Sequence, residues 1–205
     1  MKKIIISLLF IQIFSSMNAQ NIQLPEPTKK GGKPLMEALS ERKSTREFSS
    51  EALSYQQISD LLWAGNGINR EDGRHTAPSA RNCQEIDMYV VLPEGIYLYD
   101  PTTHSLIMKK EGEYRKDFTS QDFASEAPLI IIFVANYEKM ENMTTEKMEF
   151  YGATDCGYVS QNIYLYCSSE NLNTVVLGRI DRDKIQQLIG FDGKAILAQP
   201  VGLPK

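Results

Sequence analysis

Apolar residues recur along the chain with two different periods, which together predict a mixture of helices and strands. Helical spacing predicts helices over Lys33–Leu39, Tyr55–Ala64, Thr144–Glu170 and Arg182–Ile189. Short apolar segments bounded by turn residues predict strands over Glu85–Leu92, Ile96–Tyr99, Ser105–Met108, Leu129–Val134, Thr174–Leu177 and Ala195–Val201. This order of elements predicts an α+β fold, with one central mixed or antiparallel sheet flanked by helices.

Local signals sharpen the prediction at several elements. The turns Pro93-Glu94-Gly95 and Asp100-Pro101 separate the first three strands, which predicts an antiparallel meander. The segment Leu129–Val134 is apolar throughout, so we expect a central strand buried on both faces. Ser54 followed three residues later by Gln57 predicts a capping box at the start of the second helix.

Two of the predicted helices have distinctive faces. The first has the apolar residues Leu35, Met36 and Leu39 on one side. The middle of the longest helix is rich in small residues, namely Gly152, Ala153, Gly157 and Ser160. Small residues allow another backbone or a flat ligand to approach closely, although ordinary helix packing explains them equally well.

The N-terminal residues 1–19 have the three parts of a signal peptide. A short basic start is followed by an apolar run from Ile4 to Phe14 and by small polar residues up to Ala19. The run is shorter than the roughly 20 residues that span a bilayer, which favours a cleaved signal over a membrane anchor. We therefore expect export to the periplasm, an extended arm over residues 20–32, and one domain over residues 33–205.

Charge and cysteine content exclude several classes of protein. The net charge of −4 does not favour nucleic acid or an anionic membrane as a partner. Cys83, Cys156 and Cys167 are too few and too scattered for a disulfide framework. His75 and His104 have no metal-ligand spacing around them, so no metal site is predicted.

The segment from Arg42 to Arg46 concentrates cations in an acidic chain. In an extended segment alternate residues share a face, so Arg42, Ser44 and Arg46 would project together, with Lys43 between them. Two guanidinium groups and a hydroxyl suit a phosphate, which accepts bidentate arginine bonds. Taken alone, the segment is also compatible with a solvated basic loop.

Further polar or glycine-containing segments follow along the chain. The loop Pro78–Gln84 offers small residues with amide and hydroxyl donors, and the segment Val175–Gly178 ends a predicted strand in glycine. A strand that ends in glycine allows backbone N–H groups to face a ligand. The chain closes on a cation, Lys205.

These segments, in this order and at this spacing, resemble the FMN-dependent nitroreductase family over about Lys33 to Lys205. The segment Arg42–Phe48 is similar to the opening Arg-x-Ser-x-Arg/Lys-x-Phe motif of that family, and Pro78–Gln84 to its Pro-Ser-x-x-Asn-x-Gln loop. Gly157 with Gln161-Asn162 is similar to the pattern of the long helix at which family members form homodimers. The resemblance therefore implies the nitroreductase-like fold and a homodimer with FMN at its interface.

The resemblance also implies roles for individual residues. Residues on the FMN phosphate and ribityl chain would be Arg42, Lys43, Ser44 and Arg46, with Lys205 as a terminal cation on the phosphate. Residues that reach the flavin from the other subunit would be Pro78, Ser79, Ala80 and Asn82. A backbone N–H of Leu177 or Gly178 would meet the flavin N5 edge, and Gln121 would be a polar flavin contact.

The activity implied by the resemblance is ping-pong electron transfer through flavin N5. An NAD(P)H-type donor reduces FMN and leaves, and a small organic acceptor such as a nitroaromatic or quinone then takes the electrons. An azoline-oxidising peptide dehydrogenase and a non-enzymatic flavin-binding domain remain alternatives. The chain departs from the family in having Glu85-Ile86 where an aromatic usually follows, and in a short segment between Val134 and Thr144, so substrate specificity does not transfer.

Overall fold

The computed structural model describes residues 20–205. The predicted signal peptide, residues 1–19, lies outside the described residues, so its assignment stays a prediction. Over residues 20–205, no helix combines the length and apolarity needed to cross a membrane.

One seven-stranded sheet forms the centre of the domain. Its strands are β1 (Ile22–Gln23), β2 (Ile86–Leu92), β3 (Gly95–Asp100), β4 (Ser105–Glu111), β5 (Leu129–Asn136), β6 (Asn173–Thr174) and β7 (Gly193–Gly202). They lie in the order β1-β4-β3-β2-β5-β7-β6, and each pair of neighbours is antiparallel. The predicted meander is confirmed as β2, β3 and β4.

Helices cover both faces of this sheet. They are α1 (Leu35–Glu41), α2 (Tyr55–Asn66), α3 (Thr145–Ser169) and α4 (Arg182–Ile189). Short 3-10 turns lie at Ala80–Asn82, Asp122–Glu126 and Tyr137–Lys139. The predicted α+β class is confirmed.

Strand β5 is the buried centre, as its apolar sequence predicts. Ile131 and Phe133 point into the cluster that also contains Ile163 of α3. Ile130 and Ile132 point into the opposite cluster, against α4. Successive side chains of a strand face opposite sides, so a strand covered on both faces needs apolar residues at every position.

The start of α2 follows the predicted capping box. The Ser54 hydroxyl accepts a hydrogen bond from the Gln57 N–H at 3.2 Å, and the Gln57 side chain accepts one from the Ser54 N–H at 2.9 Å. Helix α2 continues through Asn66, beyond the predicted end at Ala64, and its last turn closes with the Gly67 N–H on the Trp63 carbonyl.

The apolar side of the first helix does not pack within the subunit. Leu35, Met36 and Leu39 are 61%, 75% and 42% exposed, whereas Ala38 is buried. Helix α1 starts after Pro34, and the hydroxyl of Ser168 on α3 donates to the Ala38 carbonyl. The small Ala38 side allows this close approach, which leaves the larger side chains facing away from the domain.

The predicted strand Thr174–Leu177 is interrupted. Only its first residue belongs to β6, and Leu177 forms a separate bridge to Ala198 in the same register. Pro200 stands opposite the gap and has no N–H to donate, so the ladder cannot continue there. The N–H of Val176 instead donates to the hydroxyl of Tyr164 on α3, at 2.8 Å.

The N-terminal arm is extended and lies against the sheet and α2. Its β1 strand pairs with β4, and Leu24 is buried in the main core. The hydroxyl of Ser59 on α2 donates to the Pro25 carbonyl at 2.6 Å. The arm therefore packs as part of the domain.

Candidate functional site

The segment that leaves α1 runs beside β6 in an extended form. The N–H of Thr45 donates to the Thr174 carbonyl, and the Thr174 N–H donates to the Thr45 hydroxyl, both at 3.0 Å. Lys43 and Thr45 line a cavity of about 410 Å³ on one side of this segment. Arg42, Ser44 and Arg46 do not line that cavity, which agrees with alternate residues of an extended segment facing opposite sides.

Tyr164 of α3 joins the arginine segment to the strand end. Its ring lies under the Arg42 guanidinium, 5.1 Å from the ring centre, and its hydroxyl is 2.9 Å from the Ser44 hydroxyl. The same hydroxyl accepts from the Val176 N–H. Sequence reasoning missed Tyr164, although it lies one helical turn after Ser160 on the face that packs on the sheet.

Arg46 lies on a second aromatic support. Its guanidinium is 5.8 Å from the centre of the Phe123 ring, in the 3-10 turn that follows Gln121. The last residue of that turn, Glu126, accepts a hydrogen bond from the Lys205 ammonium at 2.8 Å. Gln121 and Lys205 therefore lie on the same side of the domain as Arg46, although Lys205 is paired with a carboxylate.

The cations of this segment have no carboxylate partner within the described residues. Neither Arg42, Lys43 nor Arg46 makes a side-chain hydrogen bond or a salt bridge there, whereas Lys205 does. Because the chain carries a net charge of −4, this local excess of positive charge is not a property of the whole surface. We infer a site for an anion, because unpaired guanidinium groups present bidentate donors.

Only one of the two backbone donors expected at the strand end is open. The Leu177 N–H donates to the Ala198 carbonyl at 2.7 Å, so it is already used within the sheet. Gly178 is exposed, and its N–H has no partner among the described residues. The structure therefore restricts the expected N–H contact to Gly178.

The loop Pro78–Gln84 lies elsewhere in the subunit. The Ala80 N–H donates to the carboxylate of Asp155 on α3 at 2.7 Å. Asp155 and Tyr164 are nine residues apart on one helix, about 14 Å at a rise of 1.5 Å per residue. Ser79 and Asn82 are therefore not brought beside the arginine segment within one chain, as expected if this loop serves a neighbouring subunit.

The same loop has an unusual backbone. Arg81, Asn82 and Gln84 have φ values of 56°, 58° and 50°, in the left-handed region that non-glycine residues seldom occupy. The Ser79 hydroxyl accepts from the Gln84 N–H at 2.8 Å and helps hold this shape. Three left-handed residues within four positions store strain, which is typical of functional segments that the surrounding structure fixes.

Comparison with known proteins identifies relatives over most of the chain. A model of the Nitroreductase family matches residues 39–203. A nitroreductase-family protein of Methanocaldococcus jannaschii is 30% identical over 195 residues, which cover 90% of this chain and 97% of that protein.

Solved structures agree with this match. A nitroreductase-family structure from Ralstonia eutropha is 41% identical, with a TM-score of 0.86 and 90% of each chain covered. Another, from Desulfovibrio desulfuricans and solved in complex with FMN, has a TM-score of 0.60 at 23% identity, over 85% of this chain and 88% of that one.

The fold and the site define an α+β domain in which an extended arginine segment lies beside the edge strand β6 and the long helix α3. With the matches above, the chain belongs to the nitroreductase family. The predicted nitroreductase-like fold and the family resemblance are both confirmed.

Proposed function

We propose that this protein is an FMN-dependent oxidoreductase of the nitroreductase type, active as a homodimer. The observation that carries this proposal is the unpaired arginine segment, which Tyr164 joins to Val176, two residues before the open N–H of Gly178. One segment thus carries hydrogen-bond donors for a phosphate and the other carries a free backbone N–H, and the Tyr164 hydroxyl contacts both segments.

The donor set fits the phosphate end of FMN. Arg42 and Arg46 would hold the phosphate with their guanidinium forks, and Ser44 would donate its hydroxyl near the ribityl chain. The rings of Tyr164 and Phe123 lie 5.1 Å and 5.8 Å from the two guanidinium groups and would restrict their motion, which lowers the conformational entropy lost on binding. Lys43, on the other side of the segment, would add positive potential.

The chemistry of the reaction would come from FMN, which when bound supplies two-electron redox capacity. The Gly178 N–H would donate to the flavin at the strand end, and nearby positive groups would favour the negative charge of its reduced form. Lys205 would reach the phosphate only after exchanging its partner Glu126. We propose an NAD(P)H-type donor and a nitroaromatic or quinone acceptor that bind in turn at one place.

A homodimer would complete the site. Helix α3 has an exposed outer face that carries aromatic, small and polar residues, comprising Phe150, Ala153, Gly157, Tyr158 and Gln161. A Cβ atom added at Gly157 would meet no atom within 4 Å, so nothing inside the subunit requires glycine there. Close packing against a second copy supplies a reason, because small residues let two helix backbones approach. The Pro78–Asn82 loop would then serve the partner's flavin.

Export remains part of this proposal. If residues 1–19 direct the chain to the periplasm, reduced nicotinamides would not be available there, and another donor would have to act in the cell. Fractionation of cells that express the full chain, with mass spectrometry of the N-terminus, tests export. A protein found in the cytoplasm with Met1 retained contradicts it.

The absorption spectrum and native mass of the purified mature protein test the main proposal. We expect bound flavin, a dimer, and bleaching of the flavin absorbance when NADH or NADPH is added without oxygen. Bound flavin that neither reductant bleaches supports a non-enzymatic flavin-binding domain. A colourless protein that FMN cannot reconstitute contradicts both.

Arginine substitutions test which residues hold the cofactor. The double variant Arg42→Ala/Arg46→Ala should purify without FMN and remain folded. The control Arg74→Ala/Lys109→Ala removes the same charge from exposed positions and should keep FMN. Equal flavin content in the two double variants overturns the phosphate assignment.

A further inference from the structure

Glu85 is a carboxylic acid enclosed at the end of the strained loop. Its side chain is 0% exposed, directly before β2 and directly after Gln84. Among the described residues, neither of its carboxylate oxygens has a hydrogen-bond partner, although its own backbone N–H is close enough to favour the ionised form. A buried ionised carboxylate without a donor is strongly disfavoured, so the group needs either a proton or a partner.

The neighbour within hydrogen-bonding reach is another acid. Asp155 of α3 is 3% exposed and lies beside Glu85. One oxygen of Asp155 already accepts a hydrogen bond from the Ala80 N–H at 2.7 Å. A proton on Glu85 would turn the contact between two acceptors into a hydrogen bond from Glu85 to Asp155.

Other charged groups around Glu85 do not replace that proton. Lys139 is close enough to favour the ionised form, but its ammonium lies 2.6 Å from Asp87 and is shared with that carboxylate. The thiols of Cys83 and Cys156 also face this region, and burial raises the pKa of each. Burial is likewise the main cause that raises the pKa of Glu85, to about 7, with Asp155 adding to it.

We propose that Glu85 and Asp155 share one proton and together position the Ser79–Gln84 loop, which loosens when that proton is lost. The shared proton keeps Asp155 in place, and Asp155 keeps the Ala80 N–H in place. Loss of the proton to solvent leaves two buried negative charges side by side, and their repulsion pushes Asp155 away from Ala80. The left-handed residues Arg81, Asn82 and Gln84 then lose one of the contacts that hold their shape.

Hydrogen exchange of the loop amides tests this positioning role directly. After correction for intrinsic exchange rates, the opening equilibrium of the Ala80 and Gln84 amides should increase by about tenfold between about pH 5.5 and about pH 8.5. A tenfold change is what a coupling of about one pKa unit produces. In Glu85→Gln the amide donates to Asp155 at every pH, so protection should stay high and independent of pH. The exposed carboxylate of Glu71 supplies the control, and Glu71→Gln should behave like the wild type.

The outcomes separate clearly. A wild-type loop whose protection does not change with pH overturns the proposal, and so does Glu85→Gln with the same pH dependence as the wild type. If Glu85→Gln does not fold, carbon NMR of wild-type protein labelled at glutamate carboxyl groups decides the question. One glutamate should titrate near pH 7, and titration of every glutamate at the ordinary value overturns the proposal.

A consequence for the cofactor rests on the proposed function. If the loop serves the partner's flavin, FMN should dissociate faster at high pH from the wild type and not from Glu85→Gln. Loop exchange is measured without FMN, so failure of the flavin proposal would leave the loop result standing.

Discussion

The hydroxyl groups of Tyr164 and Ser44 lie 2.9 Å apart, and through this contact the long helix fixes the arginine segment. The Tyr164 hydroxyl also accepts from the Val176 N–H, so it links the segment to the interrupted strand. One phenol therefore sets the distance between the two parts of the candidate flavin site.

Removal of that hydroxyl should separate the two parts while leaving the fold intact. Tyr164→Phe leaves the half-buried Val176 N–H without a partner, which costs roughly 1–3 kcal/mol, and we expect the lower end. FMN affinity should fall by about tenfold, which corresponds to a loss of about 1.4 kcal/mol in binding free energy. Urea unfolding and FMN titration measure the two effects. The exposed Tyr55→Phe should change neither, and unchanged FMN affinity in Tyr164→Phe contradicts the linking role.

The prediction from sequence succeeded where one local pattern decides the structure. Strand β5 is apolar and buried from Leu129 to Ala135, and Ser54 with Gln57 forms the capping box. Both depend on residues close together in the chain, so periodicity and spacing suffice.

The prediction from sequence failed where a residue distant in the chain determines the local structure. The strand at Thr174 breaks because Pro200, on the neighbouring strand, has no N–H to donate. Tyr164 and Asp155 contact loops that lie far from them in sequence, and nothing in the periodicity of α3 distinguishes them from core residues. The exposed apolar side of α1 has the same limit, because an apolar stripe does not say whether it packs within a subunit or between two.

The His104 side chain should make stability fall in mild acid. Its Nδ1 lies 2.9 Å from the Tyr99 hydroxyl and its Nε2 lies 2.7 Å from the Ser59 hydroxyl, which itself donates to the Pro25 carbonyl. This chain suits a neutral ring that accepts from Tyr99 and donates to Ser59. Burial is the main cause that lowers the pKa of His104 from 6.5.

The sign of the effect follows from that lowered pKa. The unfolded chain binds a proton more readily, so the contribution of His104 to the free energy of unfolding is complete above pH 6.5. It is lost as the pH falls from there through the lowered pKa. Urea unfolding at several pH values should show a smaller acid loss for His104→Gln than for the wild type. Equal losses of stability in the two proteins would contradict this role of His104. Glu85 has the opposite effect, because it weakens folding as the pH rises from 4.5 to about 7. That effect is present in both the wild type and His104→Gln, so it cancels in their comparison.

Substitution of two glycines on α3 should affect two different properties, the stability of the fold at Gly152 and dimerisation at Gly157. A Cβ at Gly152 would lie 2.7 Å from the Ala135 Cβ, so Gly152→Ala overpacks the core and should destabilise the fold by about 1–3 kcal/mol. The Cβ of Gly157 would meet no atom within 4 Å, so Gly157→Leu should fold normally and fail to dimerise. Sedimentation equilibrium and urea unfolding measure both. A Gly157→Leu dimer as tight as the wild type would exclude the outer face of α3 from the interface.

The exposed backbone of Gly178 offers a test in which only one N–H changes. Gly178→Pro removes that N–H, and its carbonyl can still accept from Arg182, at 3.4 Å in the structure. Leu177, the preceding residue, is extended in its bridge to Ala198, and an extended residue before proline is favourable.

If the Gly178 N–H binds the flavin, its loss should cost about 1 kcal/mol and weaken FMN binding roughly fivefold to tenfold. The control is Gly178→Ala, which keeps the N–H and whose Cβ would lie 3.9 Å from Leu197, an ordinary contact. Equal FMN affinity in the proline and alanine variants would show that this N–H does not bind the cofactor.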